Sequence, residues 1–366
     1  MNPVDPTGIE TPIGYVDLGR ARANAARVAD YAAGHGFAWR PHIKTHKSLL
    51  VARMQLTAGA SGLTVATLRE AEVMSALTDD LLFAYPPVGA AKLERLLRLP
   101  ASLDLKVALD SAEVLTSLAT HAADAGRVVG VLIEQDVGLG RVGVQAGADV
   151  VRLAGLAASL QGVEFRGLMF YPGHIRIRQD EQDEALKRVS ERLAQTYAAL
   201  QGSGLECGIV SGGSTPTVWR SHELPGVTEI RSGSCIYFDR EGLAVGVASR
   251  EDIAYTVLAT VVSTAIPGHA VVDCGSKALS KEARGAEAGF GVLFDHPEVT
   301  VVSLSEEHGV LDLSDTGWCP AIGDRVRIVP NHVCVSVNLQ EVLLARDGTG
   351  HSLLTLEGRG RGPWTA

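Results

Sequence analysis

Two textures alternate along the chain from residue 16 to about 240. Eight short runs are apolar or β-branched: "FAWRPHIK", "GLTVAT", "LLFAYP", "LKVALD", "VGVLIEQD", "FRGLMFYP", "CGIVSGG" and "VTEIRSGS". They read as strands. Segments of helical spacing separate most of them, such as "LREAEVMSAL", "AAKLERLLRL", "SAEVLTSLATHAADAG" and "DEALKRVSERLAQTYAALQGSG". The first helix, "DLGRARANAARVADYAAGHG", opens on Asp17 as an N-cap and stops at glycine. Eight strand–helix units predict a (β/α)8 barrel, for which about 250 residues is typical. A doubly wound sheet is the alternative. The barrel is favoured because polar residues fall at the strand ends: Lys44, Tyr85, Asp110, Asp136, Tyr171, Ser211 and Arg231. Barrel active sites are built at that rim.

Past residue 245 the pattern changes to β-rich alternation, with Gly, Pro and Asp at turns, and shows no long helix. The expected organisation is an α/β barrel over residues 13–245 and a mostly β domain over 246–366, joined by residues 1–12. The Gly/Arg-rich tail "EGRGRGPWTA" is expected to be loose at its end.

Composition narrows the class. The chain has 366 residues, 46% of them hydrophobic, and a formal net charge of −9. That charge argues against a nucleic-acid partner, since phosphate backbones require a basic surface. No apolar run approaches the roughly 18 residues of a membrane span. The start, "MNPVDPTGIETP", lacks the basic and apolar regions of a secretory signal. Five scattered cysteines without a CxxC do not read as a disulfide framework, so a reduced cytoplasmic compartment is expected.

Against this acidic background stands "RPHIKTHK", Arg40 to Lys47. If it is extended, Arg40, His42, Lys44 and His46 share one face. Lys44 pointing into a barrel beside Arg40 and His42 has its pKa lowered by like charge and desolvation, and becomes a nucleophile for a carbonyl. The plain alternative is a solvated basic turn. "SGGST", Ser211 to Thr215, ends the seventh run, and "RSGS", Arg231 to Ser234, ends the eighth. Adjacent glycines let backbone amides approach an anion, and barrels hold phosphate with their late loops. A reactive lysine and a phosphate cradle are together what pyridoxal 5'-phosphate (PLP) requires. In "PNHVCVSVNLQ", His332 and Cys334 are one residue apart, and a strand puts both on one face. Imidazole and thiolate suit zinc, but a core cysteine beside a hydrogen-bonded histidine is the commoner meaning of so short a pair. "SEEHG", Glu306 to Gly309, offers acid–base groups or a solvated turn. Tyr171 could bond a ligand or cap a strand. Arg141 could hold an anion or pair with Asp136. Cys207, Cys235 and Cys274 read as core fillers.

Taken in order, "RPHIKTHK", "DVGLGRVGV", "YPGH", "SGGST", "TEIRSGS", "VVDCGSKALS", "SEEHG" and "PNHVC" resemble the D-serine dehydratase and D-threonine aldolase family. These are PLP enzymes of the alanine racemase fold, fold type III. The resemblance runs from Thr11 to Arg359. It implies Lys44 as the Schiff-base lysine, and Tyr171 and Arg141 as cofactor contacts. Gly212, Gly213, Ser214 and Thr215, with Gly233 and Ser234, would form the phosphate cradle. Arg231 would face the pyridine nitrogen. His332 and Cys334 would be ligands of a divalent metal, zinc first, with manganese or magnesium as alternatives. The implied activity is a lyase on D-3-hydroxy amino acids. Such dehydratases resemble the HxC pattern and the aldolases HxD, so Cys334 points to β-elimination to a 2-oxo acid and ammonia. Retro-aldol cleavage to glycine and an aldehyde is the alternative, and an amino-acid racemase a further one. A non-catalytic PLP carrier would lack the β domain, and a sugar-phosphate barrel would lack PLP. A homodimer is the assembly that the resemblance implies.

Overall fold

The computed structural model describes residues 3–283 and 288–365. It divides into two compact units. One runs up to Ala26 and resumes from Ser234 to Leu356; the other comprises Arg27–Gly233 and the segment from Glu357 onward.

The second unit holds eight parallel strands. They lie side by side in the order Ala38–Trp39, Glu229–Ile230, Ile209–Gly212, Val163–Phe170, Val129–Gln135, Asp104–Leu109, Asp80–Phe83 and Leu63–Val65. A parallel bridge between His42 and Thr64 joins the two ends of this series, so the sheet curls into a barrel. This is the (β/α)8 barrel that the alternation predicts. Helices including Leu49–Thr57, Leu68–Met74, Ala90–Leu97, Ala112–Asp124, Ala148–Ser159 and Asp183–Gly202 connect the strands.

The period of two is visible in the packing. Val107, Leu109, Val131 and Ile133 pack with Leu96, Leu115, Leu118 and Leu153 of the helices. Their strand neighbours Leu82, Ala108, Leu132 and Met169 form a separate cluster facing the other way, inside the barrel. The floor of the barrel is ionic. Arg40 donates to Asp80 (2.6 and 2.9 Å) and to Glu229 (2.9 Å), and Lys106 to Asp80 (2.8 Å) and Asp104 (2.6 Å). Asp80, Asp104 and Glu229 all open their strands, so these charges occupy the N-terminal end, where barrel residues serve stability.

The first unit is mostly β. Its sheet runs Val301–Leu304, Gly309–Asp312, His269–Val272, Tyr255–Ser263, Ile13–Asp17, Val342–Asp347, Gly350–Thr355, with Arg325–Pro330 paired to Tyr255–Ser263. Ile13–Asp17 is a central strand, antiparallel to Tyr255–Ser263 and parallel to Val342–Asp347. Asp17 then accepts the Arg20 N–H at 3.0 Å and caps the helix Leu18–Gly34 as expected.

Three local expectations need correction. "RPHIKTHK" is not extended. Its strand ends at Trp39, and Ile43–Thr45 is a 3-10 turn, so the supposed common face of Arg40, His42, Lys44 and His46 is broken up. Residues Val333–Leu339 form a helix rather than a strand, with His332 as its extended N-cap residue. The tail is not loose. Arg69 donates to the carbonyls of Glu357 (2.7 Å) and Pro363 (2.8 Å), and Arg95 to those of Arg361 and Gly362, both at 2.9 Å.

Candidate active site

The rim of the barrel gathers the lysine, a tyrosine and two arginines. In the Ile43–Thr45 turn, the Lys44 N–H lies 3.4 Å from Nδ1 of His42. Lys44 is half-buried, and its Nζ stands 6.0 Å from the centre of the Tyr171 ring. The Arg141 guanidinium lies over the same ring at 5.0 Å, within the range of a cation–π contact. Tyr171 directly follows the strand Val163–Phe170, so its ring sits at the C-terminal end of the barrel. The loop that carries Arg141 is tied down by carboxylates. Asp136 accepts from the amides of Gly138 (3.1 Å) and Gly140 (3.0 Å), and Asp110 from that of Gly143 (2.9 Å). Of the two readings of Arg141, a pair with Asp136 is not what is found. Asp136 lies 3.7 Å from Arg192, whereas Arg141 lies 3.9 Å from Glu134.

The neighbours of Lys44 take other paths. Arg40 turns to the barrel floor. His46 is fully buried; its Nδ1 accepts the Ser48 N–H (3.1 Å), so Nε2 carries the proton and donates to Gln55 (3.1 Å). Burial depresses its pKa to about 3. Lys47 donates to Glu70 at 2.5 Å. His42 is held neutral, because burial and then the charges of Lys44, Arg231 and Lys47 push its pKa far down. Of the cations in the segment, only Lys44 is directed at Tyr171 and Arg141.

Arg231 is 6% exposed and fixed from two sides, donating to Ser211 Oγ (2.8 Å) and to the Phe170 carbonyl (2.9 Å). Burial lowers its pKa to about 10, against the attraction of Glu229 and Glu134. Glu134 is a residue that the sequence reading missed. It is 3% exposed, and burial raises its pKa against the pull of Arg231 and Arg141. The signal was available: Glu134 has the parity of Leu132, which points inside the barrel, so an acid there faces the interior.

The Gly/Ser loops are closely packed, and two of their glycines leave no room for a side chain. A Cβ on Gly212 would fall 2.1 Å from the ring of Phe170, and one on Gly233 would fall 2.4 Å from the His42 carbonyl oxygen. The loops are joined where Ser232 Oγ donates to the Ser214 carbonyl at 2.9 Å, and Ser214 Oγ lies 3.0 Å from Thr217 Oγ1. Gly213 and Thr215 lie in the first loop, and Thr215 is 8% exposed. Ser234 opens the 3-10 turn Ser234–Ile236 in the other unit, where its carbonyl accepts from Tyr237 and Phe238. Glycines that a side chain would crowd, beside hydroxyls, fit an anion held by backbone amides.

The β-rich unit carries the second constellation. Asp239, Glu241 and His332 each offer a ligand atom within 4.8 Å of the others. Asp239 is already engaged: one oxygen accepts from Gly242 N (3.1 Å), the other from Val333 N (2.9 Å) and His332 Nδ1 (3.0 Å). That last contact orients the ring, and in the neutral imidazole it leaves Nε2 as the nitrogen that could bind a metal. Burial works against a charged His332, but Cys334 and Asp239 outweigh it and raise its pKa to about 10. Of the expected pair, His332 stands at a helix start beside two carboxylates that the sequence reading missed, and Cys334 follows in the first turn of that helix outside this group of three. "FDREG" places Asp239 and Glu241 two apart, but their relation to a histidine over ninety positions away is not legible locally. An imidazole nitrogen and two carboxylates together suit a divalent ion.

A parallel barrel with a lysine and Gly/Ser loops at its rim, continued by a mostly β sheet, defines an enzyme of the alanine racemase fold. Residues 16–241 match the family model "Alanine racemase, N-terminal domain", and residues 254–345 the model "Putative serine dehydratase domain". The chain is 35% identical to D-threo-3-hydroxyaspartate dehydratase of Delftia sp. (strain HT23), over 90% of this chain and 92% of that protein. It is 33% identical to a D-threonine aldolase of Arthrobacter sp., over 98% and 95%. The solved D-threonine aldolase from Filomicrobium marinum superposes with a TM-score of 0.89 at 30% identity, covering 98% of this chain and 99% of that one. The chain belongs to the D-serine dehydratase and D-threonine aldolase family of lyases. Among the described residues no helix is long and apolar enough to cross a membrane.

Proposed function

We propose that this lyase uses PLP and a divalent metal to act on D-3-hydroxy amino acids, by β-elimination to a 2-oxo acid and ammonia. The observation that carries this reading is the HxC spacing of His332 and Cys334, with His332 Nδ1 held 3.0 Å from Asp239. It supports the dehydratase form of the family's metal pattern over the aldolase form.

Lys44 would hold PLP, with Gly212, Gly213, Ser214, Thr215, Gly233 and Ser234 around the phosphate, and Arg231 toward the pyridine nitrogen. His332 and Cys334 would hold the metal, with Glu241 as a further ligand and Asp239 orienting the imidazole. PLP supplies an electrophilic carbonyl and an electron-accepting ring, and the metal a Lewis acid. Lys44 Nζ would be the base placed to receive the Cα proton. Neutral His42 beside it adds no competing charge. Tyr171 and Arg141 orient the bound molecule, the arginine being the half-exposed cation at the rim available to a carboxylate. Arg231, fixed by Ser211 and Phe170, presents a cation that would leave the ring nitrogen without a proton.

Zinc is the metal proposed first. A homodimer rests on the family likeness. A cytoplasmic setting rests on the five free cysteines. The test is product analysis with D-serine, D-threonine and D-threo-3-hydroxyaspartate, with L-isomers as controls. Pyruvate, 2-oxobutyrate or oxaloacetate, respectively, with ammonia is the expected outcome. Glycine with an aldehyde would replace elimination by retro-aldol cleavage, and enantiomer alone would make the protein a racemase.

A further inference from the structure

The helix Leu49–Thr57 follows directly on the Lys44 turn, and it is capped from an unexpected place. Ser48 occupies the N-cap position with extended backbone, yet its side chain makes no capping bond. The Leu49 N–H donates instead to Oε2 of Glu357, at 3.0 Å and 308 positions away. A carboxylate at a helix N-terminus satisfies an orphan amide and opposes the positive end of the dipole. The next residue, Gly358, donates its N–H to the Lys47 carbonyl at 2.8 Å.

Lys47 needs such support. Its φ is +53°, a left-handed conformation uncommon for a residue with a side chain. Conformations of this kind persist where the surroundings over-determine them. Here the constraints are Gly358 on the carbonyl, Glu70 on the ammonium, and a Lys47 N–H bond to Ile43 O at 2.9 Å. That last bond closes the turn containing Lys44. The segment beyond is fastened to the barrel helices. Arg69 and Arg95 hold four of its carbonyls, Trp364 N donates to Glu72 at 2.7 Å, and the Trp364 ring packs on the barrel–helix core. Five hydrogen bonds and a tryptophan secure a stretch that carries no secondary structure of its own. What they hold in place is the pair of contacts made by Glu357 and Gly358.

We propose that Glu357–Trp364 is a positioning strap for Lys44. Glu357 and Gly358 lock the turn that directs Lys44 toward Tyr171, and Arg69, Arg95 and Trp364 anchor the lock. The inference rests on the reading of Lys44 as the PLP lysine, and adds that the last residues of the chain set its geometry. They are positioning residues, because they act through the backbone of the turn and the helix start.

The test uses the full chain with Glu357→Ala and Glu357→Gln. Glu357→Gln keeps an acceptor oxygen for Leu49. PLP titration is followed by Schiff-base absorbance, and borohydride trapping with peptide mapping reports labelling of Lys44. Amide hydrogen exchange of residues 43–57 needs no cofactor. Loss of a helix cap is worth up to roughly a tenfold change in an equilibrium constant. Glu357→Ala is therefore expected to weaken Lys44 labelling about tenfold, to speed exchange at the Lys44 turn, and to be largely rescued in Glu357→Gln. Unchanged exchange across the turn would overturn the strap. A lower melting temperature with wild-type Lys44 labelling would overturn it too, leaving the tail as a stability element only. If the unaltered enzyme forms no adduct at Lys44, the functional reading fails, and the exchange result still decides the strap.

Discussion

The ammonium of Lys47 stands 2.5 Å from the carboxylate of Glu70, a side chain fully withdrawn from water. The same carboxylate accepts the Ala66 N–H at 2.7 Å. Two lysines three positions apart thus have opposite environments, and only Lys44 is directed to the rim. Lys44→Ala is expected to abolish the reducible Schiff-base absorbance. Lys47→Ala should retain an adduct at Lys44 but leave Glu70 charged and buried, at a cost of about 3 kcal/mol. Absorbance spectra and urea denaturation of the two variants separate the roles. An adduct that survives in Lys44→Ala would move the assignment to another lysine.

Gly233 faces a backbone atom that cannot step aside. Its would-be Cβ meets the His42 carbonyl oxygen, and His42 is the residue that opens the Lys44 turn. Gly233→Ala should push the two loops apart and cost about 1–3 kcal/mol, as overpacking does. PLP affinity is expected to fall with it, read by quenching of tryptophan fluorescence. Wild-type affinity in this variant would remove the loop from the phosphate site.

Asp239 bonds His332 Nδ1 and also the backbone N–H of Val333, so it orients the ring and the start of the helix together. Asp239→Asn is expected to weaken metal binding about 10–100-fold, the usual effect of a lost outer carboxylate. Calorimetric titration of the apo-protein with zinc and with manganese measures this directly. Chelation of the native enzyme should stop turnover and leave the Schiff-base absorbance in place. Loss of that absorbance on chelation would mean that the metal serves the fold.

Histidine burial sets a pH dependence. His46 has its pKa lowered from 6.5 to about 3, chiefly by burial, and His42 is depressed in the same direction. Below about pH 6.5 the unfolded chain takes up protons that the native imidazoles refuse. Stability is therefore complete above that pH and falls as pH drops toward 3, by up to about 1.4 kcal/mol per pH unit for each histidine. His46→Asn keeps an acceptor for the Ser48 N–H and should flatten the profile by one histidine's share. Urea denaturation at several pH values between 4 and 7, roughly that window, checks it; an unchanged slope would show that other groups dominate.

Much of the site was legible because its residues sit at strand ends and in loops of telling composition. The strand-end positions of Lys44, Tyr171, Arg231 and the two Gly/Ser loops follow from the run pattern, and their expected roles from the family likeness. Arg40 did not. Its alternation with Lys44 suggested a shared face, but the strand stops at Trp39, and partners 40 and 189 positions away draw the guanidinium to the floor. Glu134 was readable by parity and was overlooked beside the more conspicuous Asp136. His332 and Cys334 lie at a helix start instead of on a strand, and His332 converges with Asp239 and Glu241.

What the chain settles by itself is what local spacing encodes. The alternation of short β runs with amphipathic helices dictates a parallel sheet covered on both faces, and the polar residues at the strand ends favour the barrel over a doubly wound sheet. The glycines and hydroxyls at the late strands are the local signal on which the proposed anion loop rests. Tertiary structure decided the partnerships. Asp239 meets His332 across 93 positions and Glu357 caps Leu49 across 308. No periodicity carries such information, since those contacts are fixed by where distant segments come to rest against one another.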